Sequence, residues 1–229
     1  MSSPLCIGHR GARGYLPENT LPSFQHAIDL GCDWIELDVY LVESELIVIH
    51  DKRVDRTTDG SGLLADLGMD YIRSLDAGGG AGVPTLREVL DLVDGRCGIN
   101  VELKGDGTAG PVCRQLDEYC TNGRSKDAFL LSSFNHRELG QANPTYRRGA
   151  LFSRLTRDMW EQAETLGAWS VNFDMRDVTP QLVTEAHERG YKVLVYTVNE
   201  PRDIKRMIAC QVDGIFSDFP DRLLKQRQP

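Results

Sequence analysis

The sequence has no apolar run near the roughly 18 residues that cross a bilayer, and its opening MSSPLCIGHRG shows no basic stretch followed by a signal-like apolar segment. Neither a membrane anchor nor a secretion signal is expected, and the protein reads as cytoplasmic. Positive charge is in short supply as well, with 26 Lys+Arg against 34 Asp+Glu and a formal net charge of -8. A surface of that sign disfavours nucleic acid and anionic lipid, so neither is an expected partner. Cysteine is present without pattern. Cys6, Cys32, Cys97, Cys113, Cys120 and Cys210 show no C-x-x-C or Cys/His ligand spacing and mostly fall in apolar stretches. They read as small thiols of a reducing compartment, and zinc is not expected. A chain of 229 residues buries most of its unfolded surface in one core, so it needs neither disulfides nor a structural metal.

What is present is alternation. PLCIGH, CDWIELDV, GINVELK, AFLLSSF, RGALF, WSVNF, KVLVYTV and GIFSD are eight strand candidates rich in β-branched and apolar residues. Helical patterns lie between them at about 19–30, 85–93, 110–120, 136–142, 158–166, 180–189 and 201–209, with a last one after Phe219. Thr85 with Glu88 three residues on is a capping box, and Gly31, Gly167 and Gly190 each stand just past a helical run. Eight units in 229 residues give about 29 residues each, the size of one βα unit in a barrel of roughly 250 residues. The expectation is one domain over 1–229, a (β/α)8 TIM barrel. A doubly wound open sheet would place a dinucleotide-binding glycine turn after the first strand, and GHRGARGYLP fits that poorly.

Two places break the alternation. CDWIELDV runs into YLVESELIVIHD with too few residues for a crossover helix, so the second strand must return as an antiparallel hairpin. A loop at Glu43-Ser44-Glu45 would set Asp38 opposite His50. The polar, turn-rich stretch at about 52–84 then reads as an excursion inserted before the third barrel strand, at the end where βα loops build active sites. Its glycine run at 78–82 has no G-K-[ST] sequel, so it is a loop signal and a poor phosphate cradle.

Glu36 and Asp38 stand two apart on a strand and so leave on one face; Glu102 and Lys104 repeat the arrangement on the next strand. His9 and Arg10 end the first strand, and His50 ends the hairpin. Charged residues at the carboxyl ends of three successive barrel elements sit where a core would hold Val, Ile or Leu. They form either an ion-pair network closing the mouth or a site for a hard cation, Mg²⁺ or Ca²⁺, which carboxylates without thiolate neighbours suit. Charge favours the second. Three carboxylates, a divalent cation, Arg10, Lys104 and a phosphodiester monoanion sum to neutrality. His9 and His50 beside such a site form an acid and base pair, whereas His26, His136 and His187 lie in helical segments and read as surface residues.

With these residues in view, the chain resembles the glycerophosphodiester phosphodiesterase family. The resemblance rests on an ordered series: HRG (9–11), PENT (17–20), ELDV (36–39), HD with RTT and a G-x-G turn (50–62), VPTL (83–86), VELK (101–104), TVN (197–199) and DGIFSDFPD (213–221). It implies a TIM barrel, a divalent cation held by Glu36, Asp38 and Glu102, acid/base roles for His9 and His50, and phosphate contacts from Arg10 and Lys104. Within PENT, Asn19 or Thr20 is expected to cap the first helix and Glu18 to support the mouth. The chain departs from the family where VESE replaces a T-x-D-G turn, and where Tyr196 replaces a tryptophan or phenylalanine. The second change touches the alcohol pocket, where Tyr196 and Phe134 are candidate lining residues.

The reaction implied is cleavage of a small-molecule glycerophosphodiester to glycerol 3-phosphate and an alcohol. Two other uses of the same mouth are a lysophospholipase D-like enzyme and a non-catalytic barrel that binds a phosphate metabolite. The first would need an apolar groove or interfacial helix, and no strongly amphipathic basic segment stands out. The second would be favoured by a missing histidine or metal carboxylate, and none is missing.

Overall fold

The computed structural model describes residues 3–121 and 123–227. Its strands are β1 (Leu5–Gly8), β2 (Trp34–Val42), β3 (Glu45–Val48), β4 (Gly98–Leu103), β5 (Phe129–Ser133), β6 (Arg147–Phe152), β7 (Ser170–Asp174), β8 (Lys192–Tyr196) and β9 (Gly214–Ser217). All but β3 run parallel, in the order β1-β9-β8-β7-β6-β5-β4-β2, and pairing of Ile7 with Trp34 and Gly8 with Ile35 closes the sheet on itself. The result is the expected eight-stranded parallel barrel, with β3 added antiparallel to β2.

The period-2 pattern of each strand separates two environments. In β2, Ile35, Leu37 and Val39 face outward to the helices; in β4, Ile99, Val101 and Leu103 do the same. The intervening residues face the axis. Low in the barrel these are apolar, a plug of Ile7, Trp34, Leu130, Leu194 and Phe216. A Cβ on Gly98 would lie 2.4 Å from the Trp34 ring, so the glycine that opens β4 makes room for the indole. Higher up, the inward positions turn polar, and there the site begins.

Helices α1 (Leu21–Leu30), α2 (Met69–Ser74), α3 (Leu86–Val93), α4 (Ala109–Cys120), α5 (His136–Leu139), α6 (Met159–Thr165), α7 (Pro180–Glu188), α8 (Pro201–Ala209) and α9 (Pro220–Arg227) follow the expected segments within one to three residues, apart from the added α2. In α3, Leu86, Val89, Leu90 and Val93 are buried at helical spacing, each contributing about 1.5–3 kcal/mol by leaving water. Thr85 and Glu88 form the reciprocal capping box, and Thr20, not Asn19, caps α1 by accepting from the Ser23 amide.

Two expectations need correction. The hairpin turn is Glu43-Ser44 alone, with Glu43 at φ 55 and Val42 paired to Glu45. A two-residue turn needs this left-handed geometry and shifts the register by one, so Asp38 faces Ile49, whose amide donates to the Asp38 carbonyl oxygen at 3.0 Å. His50 therefore reaches the mouth from the loop beyond β3. His136 is also no free surface residue: it is half-buried, with Nε2 3.0 Å from the Leu151 carbonyl oxygen and Nδ1 2.8 Å from Gln162.

The excursion after the hairpin is polar in sequence yet has its own small core. Val54, Leu64, Ile72, Leu75, Ala77 and Val83 pack against Val42, Ile47 and Ile49 of the hairpin region. This fixes the segment that carries His50, Asp51 and Arg56. All six cysteines are free thiols, four buried and two half-buried. Among the described residues no helix is long and apolar enough to cross a membrane.

Candidate active site

Arg10 follows β1 with φ 51, a left-handed conformation uncommon for a residue with a Cβ. Its surroundings hold it there. Its amide donates to Glu36 Oε2 at 2.8 Å, and its carbonyl oxygen accepts from the Asn19 amide and the Ser23 hydroxyl. The guanidinium is thereby aimed at the axis, with Nη1 2.7 Å from Glu18 Oε1 and Nε 3.3 Å from Asp38 Oδ2.

At the axis, one carboxylate oxygen from each of Glu36, Asp38 and Glu102 lies within 4.8 Å of the other two. Glu36 and Asp38 are 3% and 0% exposed. Asn19 holds Asp38 by donating from Nδ2 to Oδ2 at 2.9 Å, while Asp38 Oδ1 is buried without a hydrogen-bond partner. Burial, then repulsion from Asp38 and Glu102, pushes the Glu36 carboxyl well above the usual range, and burial with the Asp38 charge lifts Glu102 to about 7. Three crowded, desolvated carboxylates, one with an oxygen that accepts no hydrogen bond, call for positive charge. An all-oxygen donor set of this kind fits a hard divalent cation such as Mg²⁺ or Ca²⁺.

Lys104, past the end of β4, has Nζ 2.8 Å from Glu102 Oε1, 3.7 Å from Asp38 Oδ1 and 3.2 Å from His50 Nε2. An ammonium only donates, so His50 Nε2 accepts and its proton sits on Nδ1, which lies 2.5 Å from Asp51 Oδ1. Arg56 joins Asp51 to Glu18, which also meets Arg10 and Arg13. Burial opposes ionisation of Glu18, but hydrogen bonds and charge from Arg56 and Arg10 hold its carboxyl down at about 2.

Beyond the end of β1, His9 places Nδ1 2.7 Å from Asp218 Oδ1 and Nε2 4.0 Å from Glu36 Oε2. Burial lowers its pKa, outweighing the opposing pull of Asp218. His50 is also lowered, mainly by burial.

Of these side chains His9, Arg10, Glu36, His50, Glu102 and Lys104 line a cavity of about 220 Å³, joined by Asn100 and Ser132. The opposite wall is apolar: Phe134, Leu151, Tyr196 and Phe216. Phe134 and Tyr196 meet edge to face at 5.8 Å, and the Tyr196 hydroxyl donates to the Phe152 carbonyl oxygen at 2.6 Å. The structure thus brings His9, Arg10, Glu36, Asp38, His50, Glu102, Lys104, Phe134 and Tyr196 to a single site at the carboxyl ends of the strands. Sequence reasoning assigned no task to Asp218, Asn199, Asn100 or Ser132, and left Glu18 only a supporting one. The signal for the first two was present in the SDF and TVN segments.

The chain is similar to known proteins along nearly its whole length. The sequence model of the Glycerophosphoryl diester phosphodiesterase family matches residues 9–222. A glycerophosphodiester phosphodiesterase of Caldanaerobacter subterraneus is 35% identical over 96% of each chain, and one of Bacillus altitudinis is 36% identical over 97% of each. Among solved structures, an Oleispira antarctica phosphodiesterase in complex with the product sn-glycerol-3-phosphate superposes with a TM-score of 0.88 at 30% identity, covering 97% of this chain and 96% of the other. The match begins at His9 and runs through Asp218, so it contains every residue just placed around the axis, and on it this chain belongs to the glycerophosphoryl diester phosphodiesterase family.

Proposed function

We propose that the phosphodiesterase activity given by family membership is, in this chain, metal-dependent hydrolysis of small glycerophosphodiesters to glycerol 3-phosphate and an alcohol. The observation that carries this reading is the meeting of three carboxylates, two of them buried and one with an oxygen that accepts no hydrogen bond, between two imidazoles and two cationic side chains. The product bound by the Oleispira antarctica relative supports the substrate class. Glu36, Asp38 and Glu102 would hold the divalent cation, which when bound supplies Lewis-acid stabilisation of charge on the phosphate oxygens.

Arg10 and Lys104 flank that centre and orient the phosphodiester by charge-assisted hydrogen bonds to its non-bridging oxygens. One imidazole takes a proton at Nε2 from the attacking hydroxyl as its oxygen bonds to phosphorus; the other gives a proton from Nε2 to the alcohol oxygen as its bond to phosphorus breaks. If the attacking hydroxyl is that of the neighbouring glycerol carbon, a cyclic phosphate forms and water opens it with the imidazole roles reversed. The wall of Phe134, Leu151, Tyr196 and Phe216 excludes water on the side opposite the charges and packs the carbon skeleton of the substrate. Isothermal calorimetry with Mg²⁺ and Ca²⁺ tests the metal reading. Binding by the wild-type chain, lost in Asp38→Asn and in Glu102→Gln, is expected, and absence of binding of either cation by the folded wild-type chain would overturn it.

A further inference from the structure

Two segments of the motif series, TVN and SDF, supply no group to the chemistry above. The structure joins them. Asp218 follows β9 and Asn199 follows β8, and both carboxylate oxygens of Asp218 are engaged: Oδ1 by His9 Nδ1 at 2.7 Å and Oδ2 by Asn199 Nδ2 at 2.8 Å. Asn199 is held in turn. Its Oδ1 accepts from the Asp218 amide at 2.8 Å and from the Ser217 hydroxyl at 3.3 Å, and its carbonyl oxygen accepts from Arg222 at 3.0 Å. The His9 amide donates to the Ser217 carbonyl oxygen at 3.0 Å, so backbone and ring of His9 are fixed by the same short stretch. Arg13 Nε, 3.5 Å from Asp218 Oδ1, adds positive charge on the outer side.

We propose that Asp218, locked by Asn199, is a positioning residue that fixes the tautomer and rotation of the His9 imidazole and turns Nε2 toward the carboxylate centre. This rests on the reading of His9 as an acid/base residue. An ionised carboxylate only accepts, so the Nδ1 facing it carries the proton and the bare nitrogen of neutral His9 is Nε2. Nε2 is also the nitrogen that lies 4.0 Å from Glu36, and His9 lines the cavity. The opposite tautomer would aim a lone pair at Asp218 and leave no acceptor on the reacting side. A carboxylate in this place also steadies the imidazolium that forms when Nε2 gains a proton.

The test is steady-state kinetics of metal-loaded wild type, His9→Ala, Asp218→Asn and the double variant Asp218→Asn/Asn199→Asp on glycerophosphocholine, with ¹⁵N NMR of the histidine rings. In Asp218→Asn alone, the new amide either donates to Nδ1 and favours the wrong tautomer, or turns its NH₂ against that of Asn199. A fall in kcat of roughly 10²–10⁴-fold is expected with KM within about threefold and the thermal transition nearly unchanged. In the double variant the amide at position 218 can accept from His9 through its oxygen and donate through its nitrogen to the carboxylate at position 199, so kcat should recover at least about tenfold over the single variant. The wild-type spectrum should show a protonated Nδ1 and a bare Nε2 for neutral His9. A protonated Nε2 there, or an Asp218→Asn enzyme within about twofold of wild type beside an inactive His9→Ala, would overturn the positioning role alone. Activity surviving in His9→Ala would overturn it together with the acid/base reading.

Discussion

The two histidines each rest Nδ1 on a carboxylate, but the carboxylates come from opposite kinds of construction. His50 takes its carboxylate from the next residue, Asp51, in a partly open setting, and its Nε2 rests against Lys104. His9 takes its carboxylate from Asp218, 209 residues away, in a buried setting where Asn199 fixes the carboxylate. Both have Nδ1 on a carboxylate, while Nε2 of His9 faces Glu36 and Nε2 of His50 faces Lys104. A carboxylate thus orients each imidazole, once through a local dipeptide and once through closure of the last strands onto the first. Glu18 links the two sides, receiving Arg10 from the His9 side and Arg56 from the His50 side.

The largest expected effect comes from removing the cation proposed at Glu36, Asp38 and Glu102. Chelation should abolish turnover, and added Mg²⁺ or Ca²⁺ should restore it. Next come the histidines themselves. His9→Ala and His50→Ala should each lower kcat by roughly 10²–10⁴-fold with the thermal transition little changed, and near-normal turnover in either would remove that residue from the mechanism. The comparison sharpens at the supporting carboxylates. Asp51→Asn should cost about tenfold or less, well below Asp218→Asn, because Asp51 is 30% exposed and water can take over part of its task. Equal losses at the two positions would show that local and long-range support are equivalent.

The smallest effect concerns the link. The Glu18 carboxyl is held at about 2 in the folded chain, below its ordinary value of 4.5, so its stabilising effect is full above that ordinary value and is lost as pH falls toward 2. Thermal melts between about pH 5 and 3 should therefore fall less steeply in Glu18→Gln than in wild type. Parallel curves would show that Glu18 does not couple the two sides.

The same comparison explains what was legible before the fold was known. Glu36, Asp38, Glu102 and Lys104 were readable because strands place alternate residues on one face, and a charge at a strand's carboxyl end has no packing reason to be there. His50-Asp51 was readable because the partners are adjacent. The pairing of His9 with Asp218, and the hold of Asn199 on it, exists only once the barrel closes between β1 and β9. The hairpin register depended on whether the turn took two residues or three, which Glu43 decided by adopting a conformation its residue type does not advertise. The apolar core of the excursion was hidden because its residues are scattered among polar ones with neither a strand nor a helix period.

The most direct test of the account is release of glycerol 3-phosphate from glycerophosphocholine and glycerophosphoethanolamine by the purified chain, with and without chelator. Release that stops in chelator and returns with Mg²⁺ or Ca²⁺ is the predicted result. No release by a folded, metal-loaded protein, or full release in excess chelator, would contradict it.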